Sequence, residues 1–288
     1  MNHSIIYIFV LFLFSCNGEP QKKLEEEEAS TASKTYQLVW QDEFDADGTP
    51  DSEKWGFEHG FIRNREKQYY TARSKNTRVS EDVLIIEAHK EEIKNESFIA
   101  SDSKKWKENQ EYAHYTAASL TTKDLAQWTY GKIEVSAKLP KGIGLWPAIW
   151  MLGENWKEVG WPLCGEIDIM EHVGFTKDSI FGTVHTEAFN HTKGTEVGKS
   201  VFIANPYTEF HDYAVEWTPQ RIVFLLDGLK YHEFVNTNKD EEEWPFDQPF
   251  HLKLNIAVGG DWGGQRGIDD TIFPQQMLID YVRVYQLK

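Results

Sequence analysis

Through residues 131–140 the apolar side chains Ile133, Val135, Ala137 and Leu139 alternate with Lys132, Glu134, Ser136 and Lys138. A period of two places one set on a single face of a pleated strand. The same alternation runs through Leu252, Leu254, Ile256 and Val258, and again through residues 281–285. Residues 213–217 and 221–226 read as neighbouring strands joined by Thr218, Pro219 and Gln220, and Asp227-Gly228 is a hairpin turn leading into a strand over 230–234. No long segment carries a helical period. Many short strands with polar turns between them, and no β-α-β alternation, predict an all-β protein built as an antiparallel sandwich or jelly roll. Residues 91–115 are polar and aperiodic, which predicts a long loop.

The N-terminus breaks the strand pattern. Residues 5–14 are ten consecutive apolar residues, too few to cross a ~30 Å hydrocarbon layer as a helix and about the length of a signal-peptide core. The run ends Leu13-Phe14-Ser15-Cys16, which resembles the cleavage site of bacterial lipoproteins, where a small residue precedes a cysteine that is lipidated. Residues 1–15 are therefore expected to be a signal peptide and Cys16 the lipidation site, with an ordinary cleaved signal as the alternative. Residues 16–33 are polar, and Glu25, Glu26, Glu27 and Glu28 stand in one block. Like charges in a row repel and solvate, so this stretch reads as a flexible acidic tether to a domain over 34–288. The expected location is extracytoplasmic, at the outer membrane and facing the cell surface, with membrane contact through the lipid anchor only.

Composition narrows the partners. The 288 residues hold 30 Lys plus Arg against 46 Asp plus Glu, a net charge of −16 at pH 7, which opposes long-range attraction to nucleic acid and to anionic polysaccharides. The chain has 11 Trp, 12 Tyr and 17 Phe. Trp is seldom fully buried and suits a surface that must meet a sugar ring, which makes carbohydrate a candidate ligand. The only cysteines, Cys16 and Cys164, exclude a disulfide framework.

Glu166-Ile167-Asp168-Ile169-Met170-Glu171 carries the candidate chemistry. In a regular strand Glu166 and Asp168 share one face while Glu171 falls among the isoleucines, where an unpaired charge costs several kcal/mol. A β-bulge around Met170 would shift the phase by one residue and return Glu171 to the face of Glu166. Two carboxyl groups ~5–5.5 Å apart are what glycosidic hydrolysis with retention needs, one as nucleophile and one as acid and then base. Asp168 between them would tune how the cluster titrates. An acidic, solvent-facing strand is the plain alternative, set against the aromatic and glycine density of residues 145–153, 161–165 and 182–185.

Residues 145–153, residues 161–174 with Glu-Ile-Asp-Ile-Met-Glu inside them, and Ala257-Val258-Gly259-Gly260-Asp261-Trp262 closely resemble glycoside hydrolase family 16. So do Trp40-Gln41-Asp42-Glu43-Phe44 and residues 279–285. The extra Met is that of the bulged, laminarinase-like branch, endo-acting β-1,3-glucanases with a β-jelly-roll of two curved antiparallel sheets and a concave substrate cleft. The resemblance implies Glu166 as nucleophile, Glu171 as general acid and base and Asp168 as supporting acid. It implies Asn64, Arg73, Trp146, Trp150, His185 and Trp262 as substrate contacts. It also implies a structural calcium at Glu43, Gly48 and Asp280, whose hard oxygens suit that ion, with no cofactor for catalysis, a β-glucan substrate and a monomeric enzyme.

Taken without the resemblance, Trp40, Trp55 and Trp217 read as core, and Trp146, Trp150 and His185 could be core as well. Cys164 reads as an inert buried thiol and His172 as a structural hydrogen-bond partner. The same cluster would serve a mixed-linkage β-1,3-1,4-glucanase, another family 16 polysaccharide hydrolase or a transglycosylase, and a non-catalytic glucan-binding protein is the rival from a different class.

Overall fold

The structure is a computed structural model and describes residues 35–100 and 103–288. The signal peptide, Cys16 and the acidic tether lie outside the described residues. Among these residues one sheet has seven strands, in the order β12 (Val197–Phe202), β11 (Ser179–His185), β10 (Glu166–Glu171), β9 (Leu145–Gly153), β16 (Phe250–Val258), β7 (Ser119–Thr121) and β2 (Gly56–Phe57). Every pairing in it is antiparallel. The second sheet runs β15 (Leu229–Val235), β14 (Arg221–Leu226), β13 (His211–Thr218), β8 (Gly131–Lys138), β17 (Gln275–Leu287), β5 (Val83–Lys94), β6 (Tyr112–Ala117) and β3 (Gln68–Tyr70). There β1 (Tyr36–Asp42) pairs with β17 and β4 (Thr77–Ser80) with β5. The sole helix among the described residues is one turn, α1 (Trp156–Val159). Residues Tyr36–Gln286 make one compact unit, a jelly-roll sandwich.

The predicted alternations are what hold the sheets face to face. Ile133, Val135 and Ala137 of β8 and Met277, Ile279, Val282 and Val284 of β17 are fully buried, and they join one core cluster with Ile149 and Met151 of β9 and Leu252, Leu254 and Ile256 of β16. Removing this apolar area from water is the dominant favourable term in folding. Trp55 and Trp217 are buried in the same core, and Trp40 packs edge-on against Trp55 with ring centroids 5.7 Å apart.

One expectation is corrected. Residues 91–115 are not a continuous loop: β5 runs on to Lys94 and β6 begins at Tyr112, with Ile93 opposite Ala113 and Lys94 opposite Tyr112. Ile93 and Ala113 on one face pack with Phe61, Tyr69 and Trp106 in a small second cluster, but Glu91, Glu92 and Lys94 around them leave too few apolar positions for the alternation to be read. The hairpin is closed where the Asn95 amide donates to the carbonyls of Lys107 and Gln110, both at 2.8 Å.

The β9–β10 connection sets the height of the catalytic-type strand. Gly153 donates its N–H to the Gly165 carbonyl at 3.2 Å, and a Cβ at Gly153 would stand 2.0 Å from the Cys164 carbonyl oxygen. Since backbone cannot yield as a side-chain end can, Gly153→Ala is expected to lower stability by about 2 kcal/mol. Chemical denaturation measures this, and an unchanged midpoint would contradict the close approach.

Candidate active site on the concave sheet

β9, β10, β11 and β16 turn one face to the core and the other to an open cleft, and the bulge decides which carboxylates reach the cleft. Asp168 lies opposite Trp150 and Thr183, but Glu171, three residues on, lies opposite Ala148 and Phe181, two residues back on each neighbour. The extra residue lets Ile169 and Met170 both be buried in the core, and Glu171 emerges on the same face as Glu166 and Asp168. The expected bulge is therefore present. On β16 the alternation has a second half: Lys253 and Asn255 sit between the core leucines and face the cleft side.

The cleft has a volume of about 670 Å³, and Glu166, Asp168, Glu171, Trp146, Trp150, His185, Trp262 and Asn64 all line it. The Trp146 indole donates to Glu171 Oε1 at 2.9 Å and meets Trp262 edge-on at 5.5 Å, and Phe181 meets Trp262 at 5.1 Å. The Trp150 indole donates to Asn255 Oδ1 at 2.8 Å. At the Glu166 end, Trp161 hydrogen-bonds Glu166, and its ring lies 5.9 Å from His185 and 5.1 Å from His191. The edge-to-face contacts of Trp146 and Phe181 with Trp262 fix those ring planes.

Burial raises the proton affinity of all three carboxylates, and the charge of Glu171 adds to the rise at Glu166. The cations are not evenly placed. The Arg63 guanidinium and Lys253 ammonium both pull Glu166 down, whereas Glu171 has only the Trp146 N–H working in that direction. Burial and the Glu171 charge outweigh the two cations, so Glu166 is raised to about 8 and Glu171 to about 7. The two titrate as a pair, and a proton resting on Glu171 removes its push on Glu166.

Arg63 and Lys253 are themselves held by Glu58. Lys253 Nζ lies 2.6 Å from Glu58 Oε1, Arg63 pairs with the other oxygen, and Ser119 donates to the same oxygen at 2.6 Å. Burial opposes the Glu58 charge, yet Arg63 and Lys253 overcome it and bring the group to about 2. Both cations also lie over the Trp150 ring, at 4.9 and 4.5 Å from its centroid. Burial, then the neighbouring His191, depresses His185 to about 4, so it is neutral at pH 7.

Arg73 stands apart from the other expected contacts. It is exposed, pairs with Glu91, and donates to Asn76 Oδ1 at 3.0 Å, outside the residues that line the cleft. Arg63, ten residues earlier, is the guanidinium that the cleft contains. Glu66 is a further buried carboxylate of the cleft wall, bonded by Gln68 at 2.6 Å and Tyr70 at 3.2 Å. Neither residue lies in a readable alternation, because both belong to the turn in which Asn64 and Arg65 take positive φ. Lys253 and Asn255 were legible as the polar half of the β16 pattern. Cys164 is buried and its thiol is pushed up to about 12, chiefly by burial. His172 is buried behind the strand and its Nδ1 donates to the Ser179 carbonyl at 2.8 Å.

The expected calcium ligands form no side-chain cage. Both carboxylate oxygens of Glu43 accept from Arg283 at 2.8 Å, and the Gly48 carbonyl already accepts from the Val79 N–H at 2.8 Å. Glu43 thus offers a cation no free carboxylate, and Asp280 is the one exposed acid of the three. A calcium here would depend on main-chain oxygens.

Buried carboxylates along one strand, in an aromatic-walled cleft on a jelly roll, define a glycoside hydrolase of the two-carboxylate kind. The description of Glycosyl hydrolases family 16 matches residues 64–283. A β-glucanase of Rhodothermus marinus is 49% identical over 262 residues, covering 87% of this chain and 85% of its own. The crystal structure of the Rhodothermus marinus laminarinase superposes with a TM-score of 0.79 at 47% identity, over 88% of this chain and 98% of that one. A non-specific endo-β-1,3(4)-glucanase crystallised with a gluco-oligosaccharide superposes at 0.78 and 42% identity, over 87% and 95%. The chain belongs to glycoside hydrolase family 16.

Crowded buried carboxylates carry a stability cost whose sign is testable. A carboxyl whose folded pKa is raised stabilises the fold below its unfolded pKa and loses that contribution as pH rises. Glu171→Gln is therefore expected to raise the melting temperature at pH 8 by ~2–4 °C, the equivalent of about 1 kcal/mol in a domain of this size. The gain should fade by pH 4.5. A variant less stable than the parent at pH 8 would contradict it.

Proposed function

We propose that the protein is a retaining endo-β-1,3-glucanase that hydrolyses laminarin-like β-glucans. The observation that carries this reading is the bulge, which brings Glu166 and Glu171 onto one cleft face with Asp168 between them. In the proposed cycle ionised Glu166 attacks the anomeric carbon, while protonated Glu171 gives its proton to the leaving glycosidic oxygen. A covalent glycosyl-enzyme forms on Glu166. Glu171, now ionised, takes a proton from water, which attacks the same carbon and frees both product and Glu166. Arg63 and Lys253 favour the ionised nucleophile, the Trp146 N–H holds Glu171, and Asp168 acts as the supporting acid. Trp146, Trp150 and Trp262, with Asn64 and His185, are the proposed sugar contacts. The cycle draws on carboxylates and water and calls on no cofactor; a calcium bound at the main chain near Gly48 and at Asp280 would serve stability alone.

Within the same proposal the N-terminal 33 residues export the chain and anchor it through a lipid on Cys16. The acidic tether then holds a monomeric catalytic domain outside the cytoplasm, at the outer membrane and facing polysaccharide. The β-glucan specificity rests on similarity to the Rhodothermus marinus laminarinase. Cleavage of mixed-linkage glucan is the second reading, favoured by the non-specific endo-β-1,3(4)-glucanase among the similar structures.

The test is product analysis on laminarin, mixed-linkage glucan, curdlan and agarose in parallel. Early release of mixed oligosaccharides from laminarin is expected, and Glu166→Gln and Glu171→Gln should each lower kcat by about 10³-fold or more while folding normally. Normal turnover in either variant would end the assignment. Binding to a glucan without any cleavage would make the protein a glucan-binding one.

A further inference from the structure

The nucleophile end of the cleft gathers more than a pair of carboxylates. Side-chain donor atoms of Glu166, Asp168 and His185 lie within 4.8 Å of one another. His185 Nε2 is 3.4 Å from Asp168 Oδ2 and 3.8 Å from Glu166 Oε1. Asp168 is 3% exposed, and its Oδ2, aimed at the imidazole, is buried with no hydrogen-bond partner. A buried carboxylate oxygen without a partner carries a desolvation penalty that a bound group would relieve.

We propose that Glu166, Asp168 and His185 form a binding site for a divalent transition-metal ion of the zinc class, and that the ion excludes glucan from the cleft. Zinc bonds of 2.0–2.2 Å in a tetrahedron put neighbouring ligand atoms roughly 3.3–3.6 Å apart. The 3.4 Å separation falls on that edge and the 3.8 Å separation lies just beyond it, within reach of a small side-chain movement, whereas 3.8 Å is too long for a direct hydrogen bond. One imidazole nitrogen with two carboxylate oxygens suits zinc or copper; calcium and magnesium prefer six or more oxygens, or water-rich shells. The three ligands leave a fourth position open toward the cleft, from which the ion enters and where water or a sugar hydroxyl completes it. The ion and a glucan chain would compete for the same cleft atoms, Glu166 among them, so the metal acts as a blocker that substrate displaces. Binding follows from the geometry alone; its inhibitory consequence rests on Glu166 being the nucleophile.

The test is equilibrium dialysis of the untagged full chain against zinc chloride, with cobalt substitution as a spectroscopic probe. One equivalent of zinc is expected, displaced by laminari-oligosaccharide, and cobalt should give the intense visible band of a four-coordinate ion. His185→Asn and Asp168→Asn should each weaken zinc binding by about 100-fold or more, whereas Glu171→Gln, inactive by the proposed mechanism, should retain it. An adventitious ion only, with stoichiometry and affinity unchanged in His185→Asn and Asp168→Asn, would overturn the site. Should those variants fail to fold, a six-coordinate cobalt spectrum or zinc indifferent to oligosaccharide overturns it equally. A chain that binds one zinc in this way yet never cleaves a glucan would refute the hydrolase reading and leave the metal site standing.

Discussion

Three carboxylates on one buried face of a six-residue strand repel one another and lose hydration, and the rest of the cleft is arranged around that cost. The bulge puts them there by adding one residue between Asp168 and Glu171. It also resolves the core side of the strand, where Ile167, Ile169 and Met170 all find apolar neighbours. What keeps the arrangement from being a simple liability is the placing of positive charge. Glu58, Arg63 and Lys253 form a buried ion cluster reaching the floor of the cleft through Trp150, and its two cations act on Glu166. The two glutamates have different neighbours, cations beside Glu166 and the Trp146 N–H on Glu171, while burial keeps both raised.

The aromatic side chains divide along the same line. Trp55 and Trp217 fill the space between the sheets, whereas Trp146 and Trp150 stand on alternate positions of β9 that face the cleft, with an N–H each engaged by a polar partner. Trp146 thus has two jobs: its ring shapes the wall with Trp262, and its N–H fixes Glu171. Rigid rings beside a fixed acid supply the positioning that lets a polysaccharide chain meet the carboxylates at one register.

Where a period of two was backed by burial on one side, the sequence could be read down to single residues. Ile133 to Ala137, Leu252 to Ile256 and the out-of-phase Glu171 all behaved as the pleat requires. The outer arms of β5 and β6 gave a weaker signal, since Lys90, Glu91 and Glu92 face water or salt-bridge partners and only Ile93 and Ala113 pack against the small cluster of Phe61, Tyr69 and Trp106. Arg63, Glu58 and Glu66 were illegible for another reason. They come from the connection between β2 and β3, whose side chains meet the cleft through tertiary folding, and Arg73 is spent on Glu91 and Asn76. The Glu43 carboxylate, one of the groups expected to hold calcium, is paired with Arg283.

The claim on which the whole account stands is that Glu166 becomes covalently glycosylated during turnover. Incubation with a 2-deoxy-2-fluoro laminaribioside bearing an activated leaving group, followed by mass spectrometry of the digested protein, measures it directly. The account predicts a single disaccharide adduct on the peptide that contains Glu166, with activity lost in step. An adduct on Glu171, or inactivation with the label on any other residue, would contradict it.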